Sequence, residues 1–343
     1  GWSRPCTCRD GTVEGTEVCR SDGSWGACTC SAGDGDVDAD VDTDVDTDTD
    51  VDTDVDTDVD TDADTDVDTD VDTDVDTDVD TDSDTDADGD TDPERSSGCA
   101  TGSGGPVSAE TRSLTSGGAE RSYILDVPAS YSGEPAPLVL NFHGLGSNAS
   151  QQRMYSGMGA KAEAEGFIAV HPDGLGASWE IISVPSDDTR FVEDLLDALE
   201  AEYCIDLRRI YSVGMSNGGY FSHALGCELN DRLAAIGPVA GGFARAASVC
   251  AGAGPMPVMQ VHGDADGTVA ITQGEAARDH WLDLDGCTGE PVAQPNGCDL
   301  WSGCDAGTEV QWCPLPGVTH IGVWMNDFPV TDELWAFLQR HAR

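Results

Sequence analysis

The 343-residue chain holds a single lysine, Lys161, and only 16 basic residues against 66 acidic ones, a formal net charge of −50. Such a deficit of positive charge disfavours nucleic acid, anionic lipid and polyanionic substrates as partners. No apolar run approaches 18 residues, so no transmembrane segment is expected. The thirteen cysteines include no paired C-x-x-C spacing of a zinc site, which argues against a structural metal and for disulfides in an oxidising, extracellular setting. Neither a signal peptide nor an initiator methionine is present, and the chain is read as processed or truncated upstream of Gly1.

What is there is unevenly distributed. Residues 1–33 carry Cys6, Cys8, Cys19, Cys28 and Cys30 in a stretch too small to bury an adequate core. A disulfide-rich module is expected here, its odd cysteine pairing upstream, serving as a spacer, anchor or polymer-binding element. From Asp34 to Asp92 every even-numbered position is aspartate, within a Val-Asp-Thr-Asp repeat. Alternation imitates a strand, but stacking one face with like charge keeps such a segment extended and disordered, up to about 200 Å at 3.3–3.6 Å per residue. No glutamate closes an EF-hand loop, so calcium binding would be weak and diffuse, and residues 34–106 are read as an acidic linker. Outside the repeat 36 acids still face 16 basic residues, a surface suited to high salt or reflecting host composition.

From residue 107 to 343 the pattern is that of a folded domain. Apolar, unalternating strands are expected at 121–127, 138–142, 167–170, 209–213, 234–239, 257–261 and 309–312. Helices are expected at 151–165, 188–202, 220–229, 272–283 and 331–341. Strand–helix alternation of this kind gives an α/β class with a mostly parallel sheet covered on both faces, and its site lies beyond the carboxyl ends of the strands.

The chemistry-bearing residues sit in those places. A β-branched run ends at Gly214, a helix begins at Tyr220, and between them lies Gly214-Met215-Ser216-Asn217-Gly218, the Gly-x-Ser-x-Gly pattern of a strained strand-to-helix turn that lifts a serine above the sheet. Ser216 is the candidate nucleophile, needing a base to take its proton. His320, in the loop between the last strand and the last helix, is the candidate base. Asp266 is the candidate orienting carboxylate, with Asp264 as a rival, and the order Ser…Asp…His suits an α/β-hydrolase fold. Oxyanion donors are expected from the backbone N–H groups of Asn217 and Leu145. His143 and His262 each precede glycine at a strand end, where packing or loop roles are common. This chemistry needs no metal and no cofactor.

With those residues in hand, the segment from Val107 to Arg343 resembles the secreted polyhydroxybutyrate depolymerase and feruloyl esterase family of α/β hydrolases. The resemblance rests on Tyr123-Ile124-Leu125-Asp126-Val127-Pro128, on Asn141-Phe142-His143-Gly144, on His171-Pro172-Asp173-Gly174 and Ser178-Trp179, on the Ser216 box, and on His262-Gly263-x-x-Asp266. It implies a secreted serine esterase with Asp266 rather than Asp264 as the acid; the amino-terminal module and linker add the expectation of attachment to the cell surface through that region. It implies feruloyl-type esters of plant polysaccharide, or an aliphatic polyester, as substrate. His143, Trp179 and Trp324 are taken as substrate contacts, the tryptophans stacking on an aromatic acyl group. Two departures stand out. Family members carry His-x-Trp-Pro-Gly where this chain has His320-Ile321-Gly322-Val323-Trp324, and many have a cysteine-rich loop where residues 181–185 lie here. The eight domain cysteines allow four disulfides, at least one of them among Cys287, Cys298, Cys304 and Cys313, bracing the histidine loop. A monomer is expected. The reading of another class is a non-catalytic polymer-binding surface protein on a vestigial hydrolase fold.

Overall fold

The structure is a computed structural model; it describes residues 3–7, 14–18, 94–182, 186–244, 250 and 252–343. In the amino-terminal unit, residues 1–82, the described backbone is an antiparallel pair, β1 (Ser3–Thr7) and β2 (Glu14–Val18). The expectations of a disulfide-stapled module and a disordered Asp repeat otherwise lie outside the described residues.

In the second unit, strands that are apolar over most of their length become fully buried. These are β5 (Ala136–Phe142), β6 (Ile168–Pro172), β8 (Ala235–Val239) and β9 (Val258–Gly263). Together with β7 (Ile205–Met215) and β12 (Val310–Leu315) they pair in parallel, in the order β12-β9-β8-β7-β5-β6. Antiparallel strands close both edges: β3 (Val107–Ser116) and β4 (Ala119–Val127) beside β6, and β10 (Val292–Ala293) and β11 (Asp299–Trp301) beside β12. The result is a ten-stranded, mostly parallel sheet, as an α/β-hydrolase fold requires.

Helices cover the two faces. The helices α4 (Asp187–Glu202), α5 (Asn217–Glu228) and α6 (Ile271–Leu284) press Leu195, Phe221 and Trp281 into one core. On the other face α3 (Met158–Glu165) and α7 (Val330–Leu338) bury Met158 and Trp335. The Ser186 hydroxyl caps α4 by accepting from the Thr189 N–H at 3.0 Å, and Asp187 and Asp188 complement the dipole of its first turn. Residues 151–165, expected as one helix, are two: α2 (Ala149–Ser156) stops at Gly157, whose φ of +63° is the left-handed geometry of a helix terminus, and α3 restarts after it.

The packed region also begins earlier than residue 107. Its first helix is α1 (Gly98–Thr101), and Cys99 is bonded to Cys204. The Ser96 hydroxyl donates to Tyr203 O at 2.7 Å and accepts from Ile205 N–H at 2.8 Å. A Cβ on Gly98 would lie 2.2 Å from Tyr203 O, so only glycine fits there. Residues 94–106 are therefore part of the folded unit, a correction to the linker boundary drawn from composition. The other disulfides among the described residues are Cys227–Cys250, Cys287–Cys304 and Cys298–Cys313. The last joins β12 to the β10–β11 hairpin, upstream of the histidine loop. Among the described residues no helix is long and apolar enough to cross a membrane.

Candidate active site

The turn from β7 into α5 is tight enough to dictate its sequence. Ser216 has φ +53° and ψ −119°, a strained conformation for a residue with a side chain, held by its N–H donating to Val239 O at 2.8 Å. A Cβ on Gly214 would come within 2.4 Å of Gly218 O, and one on Gly218 within 2.3 Å of Phe142 O. Glycine at both positions lets helix and strand approach, and the serine hydroxyl is left at the strand end.

The His320 Nε2 lies 2.9 Å from Ser216 Oγ, and its Nδ1 lies 2.7 Å from Asp266 Oδ2. Asp266 follows β9; its side chain is fully buried, and its Oδ1 accepts from the Thr268 and Val269 N–H groups at 2.8 and 2.9 Å. Burial pushes its carboxyl up, but the bonds from His320 and these two amides outweigh it, and the group is held below the usual carboxylate range. An ionised Asp266 accepts from Nδ1–H, which leaves Nε2 of a neutral ring with a lone pair facing the serine. Asp264 does something else: its Oδ1 accepts from Gly317 N–H at 2.6 Å and its own N–H donates to Leu315 O, so it braces the loop that carries His320. Gly263 completes this brace, since a Cβ there would lie 2.1 Å from Val318 O.

The loop after β5 runs beside the serine; a Cβ on Gly144 would sit 3.4 Å from Ser216 Cβ. The N–H groups of Leu145 and Asn217 have no acceptor among the described residues. His143, expected to touch substrate, is wholly buried and does not. Gly174 N–H donates to its Nε2 at 2.9 Å, so the proton is on Nδ1, which donates to Gly144 O at 2.8 Å. Burial lowers its pKa and keeps it neutral. Its role is to fix the Gly144–Leu145 peptide. Trp179 is likewise a correction. Its indole is 2 % exposed, packs on Phe142 and Phe221, and donates from Nε1 to His143 O at 2.9 Å. Its backbone is clamped by the Asn217 side chain, which accepts from Trp179 N–H at 2.7 Å and donates to Trp179 O at 3.1 Å. Both aromatic rings, placed at the site by the motifs that contain them, face into the core because the apolar surface of β5 and α5 is there to receive them.

A cleft of about 460 Å³ opens over Ser216 and His320, within the usual range for small-molecule sites. Trp324 does line it, positioned by an Nε1 contact of 3.1 Å to Met215 Sδ. Met215, Tyr155, Thr268 and Gln152 also line it, and none of them was singled out from the sequence. Behind the site runs a second set of groups, of which His262 was expected to have a packing or loop role. The Trp281 Nε1–H donates to His223 Nδ1 at 2.9 Å, and His223 Nε2 lies 2.8 Å from Gln260 Oε1. The Gln260 Nε2 lies 3.4 Å from His262 Nδ1, and His262 Nε2–H donates to Val269 O at 2.9 Å, 3.5 Å from Asp266 Oδ2. Full burial lowers the pKa of His223 to about 3 and that of His262 below its usual value, so both rings are neutral and their tautomers follow from this chain.

No family model matches the chain. It is 31 % identical over 205 residues to a probable feruloyl esterase C of Aspergillus terreus, a match covering 57 % of this chain and 72 % of that protein. It is 30 % identical over 227 residues to feruloyl esterase B of Piromyces equi, covering 58 % of this chain and 42 % of the relative, so it spans less than half of that protein's length. Among solved structures, an acetyl xylan esterase from Aspergillus awamori superposes with a TM-score of 0.57 over 67 % of this chain and 99 % of that one. At 13 % identity, that likeness concerns the fold.

Proposed function

The chain belongs to the feruloyl esterase family of α/β hydrolases, and from that premise we propose that it is a secreted serine carboxylesterase working through an acyl-enzyme. The observation that carries the reading is the unbroken line from Ser216 Oγ to His320 Nε2 at 2.9 Å and from His320 Nδ1 to Asp266 Oδ2 at 2.7 Å. Ser216 Oγ attacks the ester carbonyl while His320 Nε2 takes its proton, and Asp266 stabilises the imidazolium. The tetrahedral oxyanion is received by the N–H groups of Leu145 and Asn217, each such donor contributing about 3–4 kcal/mol to transition-state stabilisation. His320 returns the proton to the departing alcohol. It then activates water to attack the acyl-Ser216 ester, releasing the carboxylic acid and the free enzyme.

The substrates proposed are hydroxycinnamoyl esters of plant polysaccharide, in keeping with the aromatic and thioether lining of the cleft by Tyr155, Trp324 and Met215. A second reading, an aliphatic polyester, draws support from Leu145, Ile321 and Met325, which border the cleft with exposures of 71, 65 and 68 %, a surface suited to an apolar polymer. The four disulfides among the described residues agree with an oxidising destination. The test is labelling by a fluorophosphonate, expected in the full chain and abolished by Ser216→Ala, beside hydrolysis of methyl ferulate and of a polyhydroxybutyrate film. An intact protein that takes no label would be the polymer-binding protein instead.

A further inference from the structure

Gln152 sits on the buried side of α2, 1 % exposed, yet forms part of the cleft wall. The orientation of its amide is forced by its neighbours. The Ser156 hydroxyl spends its only hydrogen on Gln152 O at 2.8 Å, so toward Asn141 it accepts. Asn141 must therefore turn its Nδ2 to Ser156 Oγ at 2.8 Å, with the same group 3.2 Å from His171 Nδ1. That leaves Asn141 Oδ1 facing Gln152, which must answer with Nε2, at 2.7 Å. With the donor end committed, Gln152 Oε1 is the end left over, and among the described residues no donor reaches it. Unlike the fully buried orphan atoms of the core, this oxygen keeps access to the cleft, where it is open to whatever donor a ligand brings.

We infer that Gln152 Oε1 is a specificity determinant that accepts a hydrogen bond from a ring hydroxyl on the acyl group. Tyr155, Trp324 and Met215 line the same cleft as this acceptor, a wall that suits a flat aromatic ring carrying a donor. The inference rests on the esterase reading and goes past it, because it assigns the preference for a hydroxylated ring to one amide on α2.

The experiment compares kcat/KM for methyl 4-hydroxycinnamate and methyl cinnamate in the wild-type chain and in Gln152→Met, which keeps side-chain volume and removes the acceptor together with the donor to Asn141 Oδ1. The wild-type ratio divided by the variant ratio cancels intrinsic ester reactivity and the fraction of folded enzyme. It should be about 10 or more, the discrimination one hydrogen bond supplies. A double ratio near 1 overturns the assignment of Gln152. Hydrolysis of neither ester while a fluorophosphonate still labels Ser216 also overturns it but leaves the serine-hydrolase reading standing, whereas absence of labelling sinks both.

Discussion

Asp285 offers the sharpest test of the energetics, because a carboxyl group has been built where water cannot reach it. It ends α6, is fully buried, and accepts from Met256 N–H at 3.0 Å just ahead of β9, the strand that leads to Asp266. Among the described residues its Oδ2 has no hydrogen bond of good geometry, Thr308 and Met256 offset its burial only in part, and the Asp305 carboxylate is close enough to repel a second charge. Burial, aided by that repulsion, pushes its pKa from an ordinary 3.8 up to about 7. In the unfolded chain Asp285 loses its proton near pH 4, whereas in the folded protein it keeps it until about pH 7. Between these values the native state binds one more proton than the unfolded state, so this residue's contribution to stability is full below pH 4 and declines as pH rises. At 1.36 kcal/mol per pH unit, the gap amounts to about 4 kcal/mol by pH 7 and stays constant above it. Asp285→Asn removes the titration while keeping the acceptor for Met256 N–H. Denaturant unfolding of wild type and variant from pH 4 to 8 should show the variant gaining on the wild type by about 1.4 kcal/mol per pH unit, up to neutrality. A difference that is flat with pH would refute the reasoning, whatever its constant offset.

Two further outcomes bear on the chemistry. Removing the His262 imidazole with His262→Leu takes away the N–H that lies between Val269 O and Asp266 Oδ2, and should lower kcat about 10- to 100-fold at little cost in KM, the range for one bond to a charged group; His262→Gln, which restores an N–H near the same place, should recover part of it. The acid limb of the kcat/KM profile should follow a single proton, because Asp266 is held ionised below the range in which an imidazole base is lost. A limb of slope two on a logarithmic plot would show that the carboxylate titrates with the base.

The parts of this molecule that could be read from its sequence are those governed by local rules. Unalternating apolar runs such as Leu138-Val139-Leu140 and Ile168-Ala169-Val170 announce strands buried on both faces, and they form β5 and β6. The turn at Ser216 is legible because sterics permit little but glycine at 214 and 218. Edge strands were not legible: β3 is largely exposed along its length, and β10 is two residues long, so neither carries a burial pattern. The break at Gly157 was hidden for a related reason, since the apolar positions on either side run on at helical spacing.

Ring direction was the other blind spot, and it decides what the site is made of. A motif fixes that His143 and Trp179 follow strands at the reactive edge, but not whether each ring turns to solvent or to the core. That choice belongs to Phe142 and Phe221, which come from different elements and offer Trp179 an apolar seat. Once Trp179 is seated, its N–H holds His143 O, and His143 in turn holds Gly144 O. The candidate oxyanion peptide is thereby fixed from behind by two buried rings, while the Asn217 side chain ties the Trp179 backbone to the serine turn. Preorganised donors cost no rearrangement as charge develops, and that is where such a site draws most of its advantage. The two aromatic residues first assigned to substrate therefore matter to the proposed reaction through the rigidity of one peptide bond, and the cleft wall is shared by Trp324, by Met215 of the serine turn, and by Gln152 and Tyr155, which belong to no motif.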